Sequence, residues 1–383
     1  MNRSLLVLEH GKVFRGFPVG KEGIVCGDIV FNTSMFGYQE VITDPSYAQQ
    51  IITFTCPHIG NVGVNKEDQE SKRVWASGIV LRNLSLRASN WRSEYSLNEY
   101  LMQQNVVGIS HIDTRHLTQI LRDEGAQSAC IMTKNACEAE AFDYLAKFIE
   151  NRQTALASVV TTNVPYSWTQ KNNYKKTLHS RRKNPPPYHI VVYDYGVKYS
   201  ILKQLADLGC RVTVVASNTS LISLNDLSPN GIILSNGPGD PRNLTEELDI
   251  IRYLIQNWTI PILGVCLGHQ LIALASAAKV YHLKFGHHGT NHPVKDMRTN
   301  KIYITSQNHE YAVDSQALPA HTEITHVSLF DGTIQGIKRA DKPIWGFQGH
   351  PEAGPGPDDM VELFQEFLKA VEDHWISSTL KHS

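Results

Sequence analysis

A chain of 383 residues with 42% hydrophobic and 19% charged residues is long enough for two hydrophobic cores and carries none of the bias of disordered, collagen-like or coiled-coil chains. Its formal net charge of -1 provides no global field for nucleic acid or an acidic membrane surface, which leaves neutral molecules and proteins as the expected partners. No apolar stretch approaches the roughly 20 residues of a bilayer-spanning helix, and the run 5–8, ended by Glu9 and His10, is too short for a signal-peptide core, so a cytoplasmic location is expected.

From the start of the chain, short apolar runs at 4–8, 27–32, 51–55 and 78–81 predict strands, separated by turns such as Thr43-Asp44-Pro45-Ser46. With few long helical patterns before Leu97, residues 1–160 are expected to form a smaller α+β domain. The stretch 161–188 carries Lys171, Lys175, Lys176, Arg181, Arg182 and Lys183 and closes on Pro185, Pro186 and Pro187, which predicts a basic linker stiffened at its end. Residues 189–383 then alternate. Strands are expected at 189–193, 211–216, 231–234 and 260–265, and helices at 198–208, 245–256, 269–278 and 360–371. That alternation predicts an α/β domain with a mostly parallel sheet and helices on both faces. Neither a G-x-x-x-x-G-K-[ST] nor a G-x-G-x-x-G phosphate loop is present.

The six cysteines (Cys26, Cys56, Cys130, Cys137, Cys210 and Cys266) include no C-x-x-C pair, which suits a reducing compartment; most read as small buried apolar residues, and at most one needs a chemical role. That one is Cys266. In Gly264-Val265-Cys266-Leu267-Gly268 a buried strand runs into a helix, the form of a nucleophile elbow with cysteine in place of serine. Small neighbours permit the sharp turn, backbone N–H groups face a developing oxyanion, and the helix N-terminus favours a thiolate. A cysteine nucleophile needs a base and a group that orients it. His350 follows an apolar strand in His350-Pro351-Glu352, and the extended geometry imposed before proline sends His350 and Glu352 to the same side. Asn236-Gly237-Pro238-Gly239-Asp240 after the third strand of this region offers a glycine backbone that approaches a substrate, or an ordinary turn. The run Gly286-His287-His288-Gly289-Thr290-Asn291-His292 brings three histidines together, but adjacent side chains point apart and no carboxylate stands beside them; a hydrogen-bonded loop is expected rather than zinc.

Gly-Val-Cys-Leu-Gly-His-Gln at 264–270 and Gln-Gly-His-Pro-Glu at 348–352 resemble the triad segments of class I glutamine amidotransferases, from about His189 onward. Further segments are similar to the small, glutamine-hydrolysing subunits of carbamoyl-phosphate synthetase: Phe31-Asn32-Thr33-Ser34-Met35, Gly37-Tyr38-Gln39-Glu40, Thr43-Asp44-Pro45-Ser46-Tyr47, Pro57-His58-Ile59-Gly60-Asn61, Ile112-Asp113-Thr114-Arg115 and Phe285-Gly286-His287-His288-Gly289. The resemblance implies catalysis by Cys266, His350 and Glu352, with glutamine held by Ser46, Gly237, Gly239, Leu267, Gln270, Asn308, Glu310 and Tyr311. It also implies a large-subunit partner that receives ammonia and uses ATP and Mg, no cofactor or metal in this chain, and a heteromeric assembly. Glu310 departs from the family's glycine, and its side chain is expected to turn toward solvent or a basic neighbour. Another class I amidotransferase, for anthranilate, GMP or folate synthesis, would lack the N-terminal domain; a non-catalytic assembly subunit would have lost a triad position; a zinc hydrolase would need His287, His288 and His292.

Overall fold

The computed structural model describes residues 4–172 and 188–382, with side chains to Leu380. Two compact units divide the chain: residues 1–153 with 283–290, and residues 154–282 with 291–383.

The first unit is built on a closed barrel. Its strands are β1 (Ser4–Leu8), β2 (Val13–Gly20), β3 (Ile24–Asn32), β4 (Gln50–Phe54), β5 (Gly78–Val80), β6 (Val107–Ser110) and β7 (Gln127–Met132), in the spatial order β1-β2-β6-β5-β4-β3-β7, with β7 pairing back onto β1. Closure removes the free edges an open sheet would expose. The apolar runs do not reveal the barrel, because β1 and β4 are buried on both faces and hide the period of two. Leu6, Leu8, Ala129 and Ile131 join one cluster with Leu117, Ile120 and Leu121 of α2 (Thr114–Glu124), which follows α1 (Leu97–Gln103). Val7, Cys130 and Met132, at the alternate positions, pack instead against Ala141 and Leu145 of α3 (Glu138–Glu150).

Several residues that carried the family resemblance hold this unit together through hydrogen bonds. Asn32 donates to the Tyr47 hydroxyl at 2.8 Å and accepts from Ser34 N–H at 2.8 Å. Gln39 brackets Asn65, donating to its carbonyl at 2.5 Å and accepting from its N–H at 3.0 Å. Asp44 and Asp113 cap helical turns by accepting from the N–H groups of Ser46 and His116.

The second unit contains a ten-stranded sheet. Its strands are β8 (Tyr166–Trp168), β9 (His189–Asp194), β10 (Arg211–Ala216), β11 (Gly231–Leu234), β12 (Ile262–Val265), β13 (Val280–Asp296), β14 (Ile302–Val313), β15 (Thr322–Ser328), β16 (Ile334–Arg339) and β17 (Ile344–Phe347), in the order β8-β10-β9-β11-β12-β17-β16-β15-β13-β14. The central pairs β10-β9-β11-β12-β17 are parallel, while β8 and the β17-β16-β15 run pair antiparallel. Alternate strand residues face opposite sides. Val191, Ile232 and Ile262 pack with α5 (Thr245–Asn257) and α6 (Leu267–Ala275), whereas Ile190, Val192, Ile233 and Leu263 pack with α4 (Tyr199–Asp207) and α7 (Glu362–His382). Helices therefore cover both faces. Among the described residues no helix is long and apolar enough to cross a membrane.

Two expectations change. The boundary moves to residue 154, because the segment after it is tied to the second unit: Leu156–Val160 is a short helix, Thr162 N–H donates to Asp194 at 2.8 Å, and β8 pairs with β10. Of the expected linker, 161–172 is thus part of this unit, and the basic stretch 173–187 lies outside the described residues. The histidine-rich run is no loop but the interior of β13, whose residues 283–290 belong to the first unit, where the His288 carbonyl accepts from Thr33 N–H at 3.0 Å.

Candidate functional site

Cys266 sits between the end of β12 and the first turn of α6, with φ 53° and ψ -104°. A residue with a Cβ rarely adopts that backbone, and such strain persists only where the surroundings enforce it. Gly264 and Gly268 show the enforcement. A Cβ on Gly268 would lie 2.1 Å from the Leu234 carbonyl oxygen, and one on Gly264 would lie 2.5 Å from the backbone of Gly268. Strand and helix therefore meet at a distance only glycine allows, and the turn between them projects the Cys266 side chain. The thiol donates to the Asn308 carbonyl at 3.4 Å. Leu267 opens the helix, where backbone N–H groups lack intrahelical acceptors.

His350 and Glu352 lie three and five residues past the end of β17, the strand neighbouring β12. His350 Nδ1 and Glu352 Oε1 are 2.7 Å apart, and both residues are buried. With Nδ1 committed to the carboxylate, Nε2 is the remaining ring nitrogen. It is buried without a full hydrogen bond, and it interacts with the Cys266 thiol.

A residue with no assigned role in the sequence completes the group. Lys198, just ahead of α4 and 2% exposed, places Nζ 2.9 Å from Glu352 Oε1 and 2.6 Å from the Ala353 carbonyl. Burial alone would raise the Glu352 carboxyl, but Lys198 and His350 outweigh it and hold it at about 2. Burial likewise works against a charged His350, and the Glu352 carboxylate overrides it, carrying the imidazole up to about 10. An imidazolium beside a thiol is the partner a sulfur anion requires. Lys198 left no local signal, since a lysine after an apolar strand reads as a solvated helix start; only its burial distinguishes it.

The other expected site residues distribute as follows. Gln270, on α6, donates to the Tyr311 carbonyl at 2.9 Å and to Gln348 at 3.2 Å, and Gln348 in turn donates to Cys266 Sγ at 3.8 Å. Asn308, Glu310 and Tyr311 lie along β14. Glu310 is half-buried, and its charge helps push the Tyr311 phenol up to about 12, after burial and Asp240. Gly237 approaches the Cys266 turn, since its Cβ would fall 2.9 Å from the Leu267 side chain, and Gly239 follows with φ 91°. Ser46 belongs to the first unit, in the helical turn Pro45–Tyr47. Among the described residues no cluster of three or more His, Cys, Asp or Glu side chains could hold a metal ion. A cavity of about 190 Å³ between β15–β17 and α7 is lined by Arg298, His326, Trp345 and Glu366 and includes none of the expected site residues.

Comparison with known proteins gives a consistent result over both units. Residues 6–131 match the family described as carbamoyl-phosphate synthase small chain, CPSase domain, and residues 191–370 match glutamine amidotransferase class-I. The carbamoyl phosphate synthase small chain of Vibrio parahaemolyticus serotype O3:K6 is 51% identical over 374 residues, covering 97% of this chain and 98% of the relative. That of Vibrio cholerae serotype O1 is 52% identical over 375 residues, covering 96% and 98%. That of Escherichia coli O6:H1 is 50% identical over 375 residues, covering 97% and 98%.

Proposed function

The chain belongs to the carbamoyl-phosphate synthase small chains, the glutamine-hydrolysing subunits of that synthase, and we propose that Cys266, His350 and Glu352 carry out the hydrolysis, with Lys198 fixing the carboxylate. The observation that carries this reading is the Cys266 elbow facing an imidazole whose other nitrogen is 2.7 Å from a buried carboxylate. The Cys266 sulfur attacks the side-chain amide carbon of glutamine. The oxyanion is held by the backbone N–H groups of Leu267 and Gly239. His350 Nε2 gives its proton to the departing ammonia, then takes one from the water that opens the thioester, and glutamate leaves. Ser46, Gly237, Gln270, Asn308, Glu310 and Tyr311 bind glutamine on this reading.

A small chain implies a large one. On this proposal ammonia passes to that chain, which supplies the ATP and Mg chemistry on bicarbonate, while this chain works without a cofactor of its own. The test is Cys266→Ser in the complex reconstituted with the large chain. Glutamine-dependent synthesis is expected to vanish and ammonium-dependent synthesis to remain, because the ammonia-using chemistry lies on the other chain. Undiminished glutamine use would remove Cys266 from the mechanism.

A further inference from the structure

Two of the cysteines without a role in glutamine hydrolysis lie directly opposite each other in the barrel. Cys26 of β3 and Cys130 of β7 are antiparallel register partners. Their pair type follows from the hydrogen bonds around them. Thr133 N–H donates to the Gly23 carbonyl at 2.9 Å, so bonded pairs recur at every second position from there, and Cys26–Cys130 falls between them. The same answer comes from the other edge of β7, where Glu9 N–H donates to Ser128, which assigns the even-numbered residues of β7 to β1. Non-bonded antiparallel pairs bring Cα atoms to about 4.5 Å and side chains closest together. Disulfides form at Cα separations of about 4.4–6.8 Å. The next pair on the same face shows how close such side chains come: Ser128 Oγ donates to Asp28 Oδ1 at 3.0 Å.

Surroundings give the two thiols different tasks. Cys130 is fully buried beneath Ala141 and Leu145 of α3, whereas Cys26 is partly exposed at the border of that cluster. The Cys130 thiol across the pair lowers Cys26 against the opposing effect of burial, and Cys26, with burial, raises Cys130. Cys26 is thus the accessible nucleophile and Cys130 the sheltered second thiol.

We propose that Cys26 and Cys130 form a reversible modification site, a dithiol closed to a cross-strand disulfide by a low-molecular-weight disulfide of the oxidised-glutathione type. The Cys26 thiolate attacks one sulfur of that reagent, breaking its S–S bond and forming a mixed disulfide while the first small thiol leaves and takes up a proton. Cys130, losing its proton, then attacks the Cys26 sulfur, forming the protein disulfide and displacing the second small thiol. Two S–H bonds of the protein are lost, and the reagent is reduced to two thiols. The product ties β3 to β7 across a loop of about 100 residues, which stabilises the barrel by restricting its unfolded chain.

The full-length chain incubated with oxidised glutathione, alkylated with iodoacetamide and mapped without reduction tests this. The expected result is a peptide linking Cys26 to Cys130, reversal by dithiothreitol, and an unfolding midpoint several degrees higher in the oxidised form. Cys26→Ser removes the link and the stabilisation while glutaminase activity stays unchanged, and at its partly exposed position it folds even where Cys130→Ser does not. Glutathione retained on Cys26 without closure, a link through exposed Cys137, or full alkylation of both thiols would each overturn the proposal.

Discussion

The two units use their motif residues in opposite ways. In the first unit, Asn32, Asp44 and Asp113 accept from backbone N–H groups two or three residues on and fix turns and caps, and Gln39 fixes the loop at Asn65. In the second unit, Cys266, His350 and Glu352 come from the ends of two neighbouring strands and point at one another, and His350 Nε2 and Glu352 Oε2 remain without full hydrogen bonds. Asn32, Gln39, Asp44 and Asp113 thus spend their polar atoms on their own fold, whereas His350 and Glu352 hold polar capacity in reserve. Buried reserve of that kind costs stability and persists where chemistry uses it.

The largest effect expected from this contrast is at Lys198. Lys198→Met leaves Glu352 as a buried charge with one partner fewer, which costs about 3–5 kcal/mol of stability and lowers glutamine turnover as well. Adding Glu352→Gln restores much of the stability but none of the turnover. Denaturant unfolding and glutaminase assays on both variants check this, and a single variant of unchanged stability would mean the ion pair does not hold the group.

A pH titration sharpens the same point. The His350 imidazole is raised from 6.5 to about 10, so its contribution to stability is fully present below 6.5 and is lost as pH rises through about 10. Glu352 is lowered from 4.5 to about 2, so its contribution is present above 4.5 and is lost as pH falls through about 2. The stability difference between the wild type and His350→Asn should therefore shrink between pH 6.5 and 10. A difference constant across that range would contradict the charged pair.

In the barrel the expected pattern reverses. Gln39→Ala leaves the Asn65 N–H and carbonyl without their partner, at a cost of about 1–3 kcal/mol, and leaves kcat for glutamine unchanged. A collapse of kcat at full stability would erase the distinction between the units. The smallest effect is expected at Glu310, where removing the side chain with Glu310→Gly shifts the glutamine KM by only a few fold at constant kcat, as a uniform binding contribution does.

Legibility in the sequence followed the same division. Strands at 211–216 and 231–234 have the expected limits, and the elbow lies where a strand was expected to run into a helix. Each strand there is bounded by turn chemistry and followed by a helical period, so local pattern and tertiary role agree. The barrel resisted because residues 5–8 are buried on both faces, and an uninterrupted apolar run does not reveal which neighbour each face meets. The strand through residues 280–296 was obscured by glycines and histidines that favour a loop reading, and only its pairing makes it a strand. The grouping of Cys266, His350 and Glu352 was legible because each sits in a segment with a chemical reading of its own. Lys198 was not, because its role arises 154 positions away in sequence, at Glu352.

The central claim is that the Cys266 sulfur carries the glutamyl group. Acid quench of the complex during turnover of labelled glutamine, followed by peptide mapping, measures this directly. A glutamyl thioester on the Cys266 peptide, absent in Cys266→Ser, is the predicted result; label on any other residue, or turnover at full rate without a covalent adduct, would contradict it.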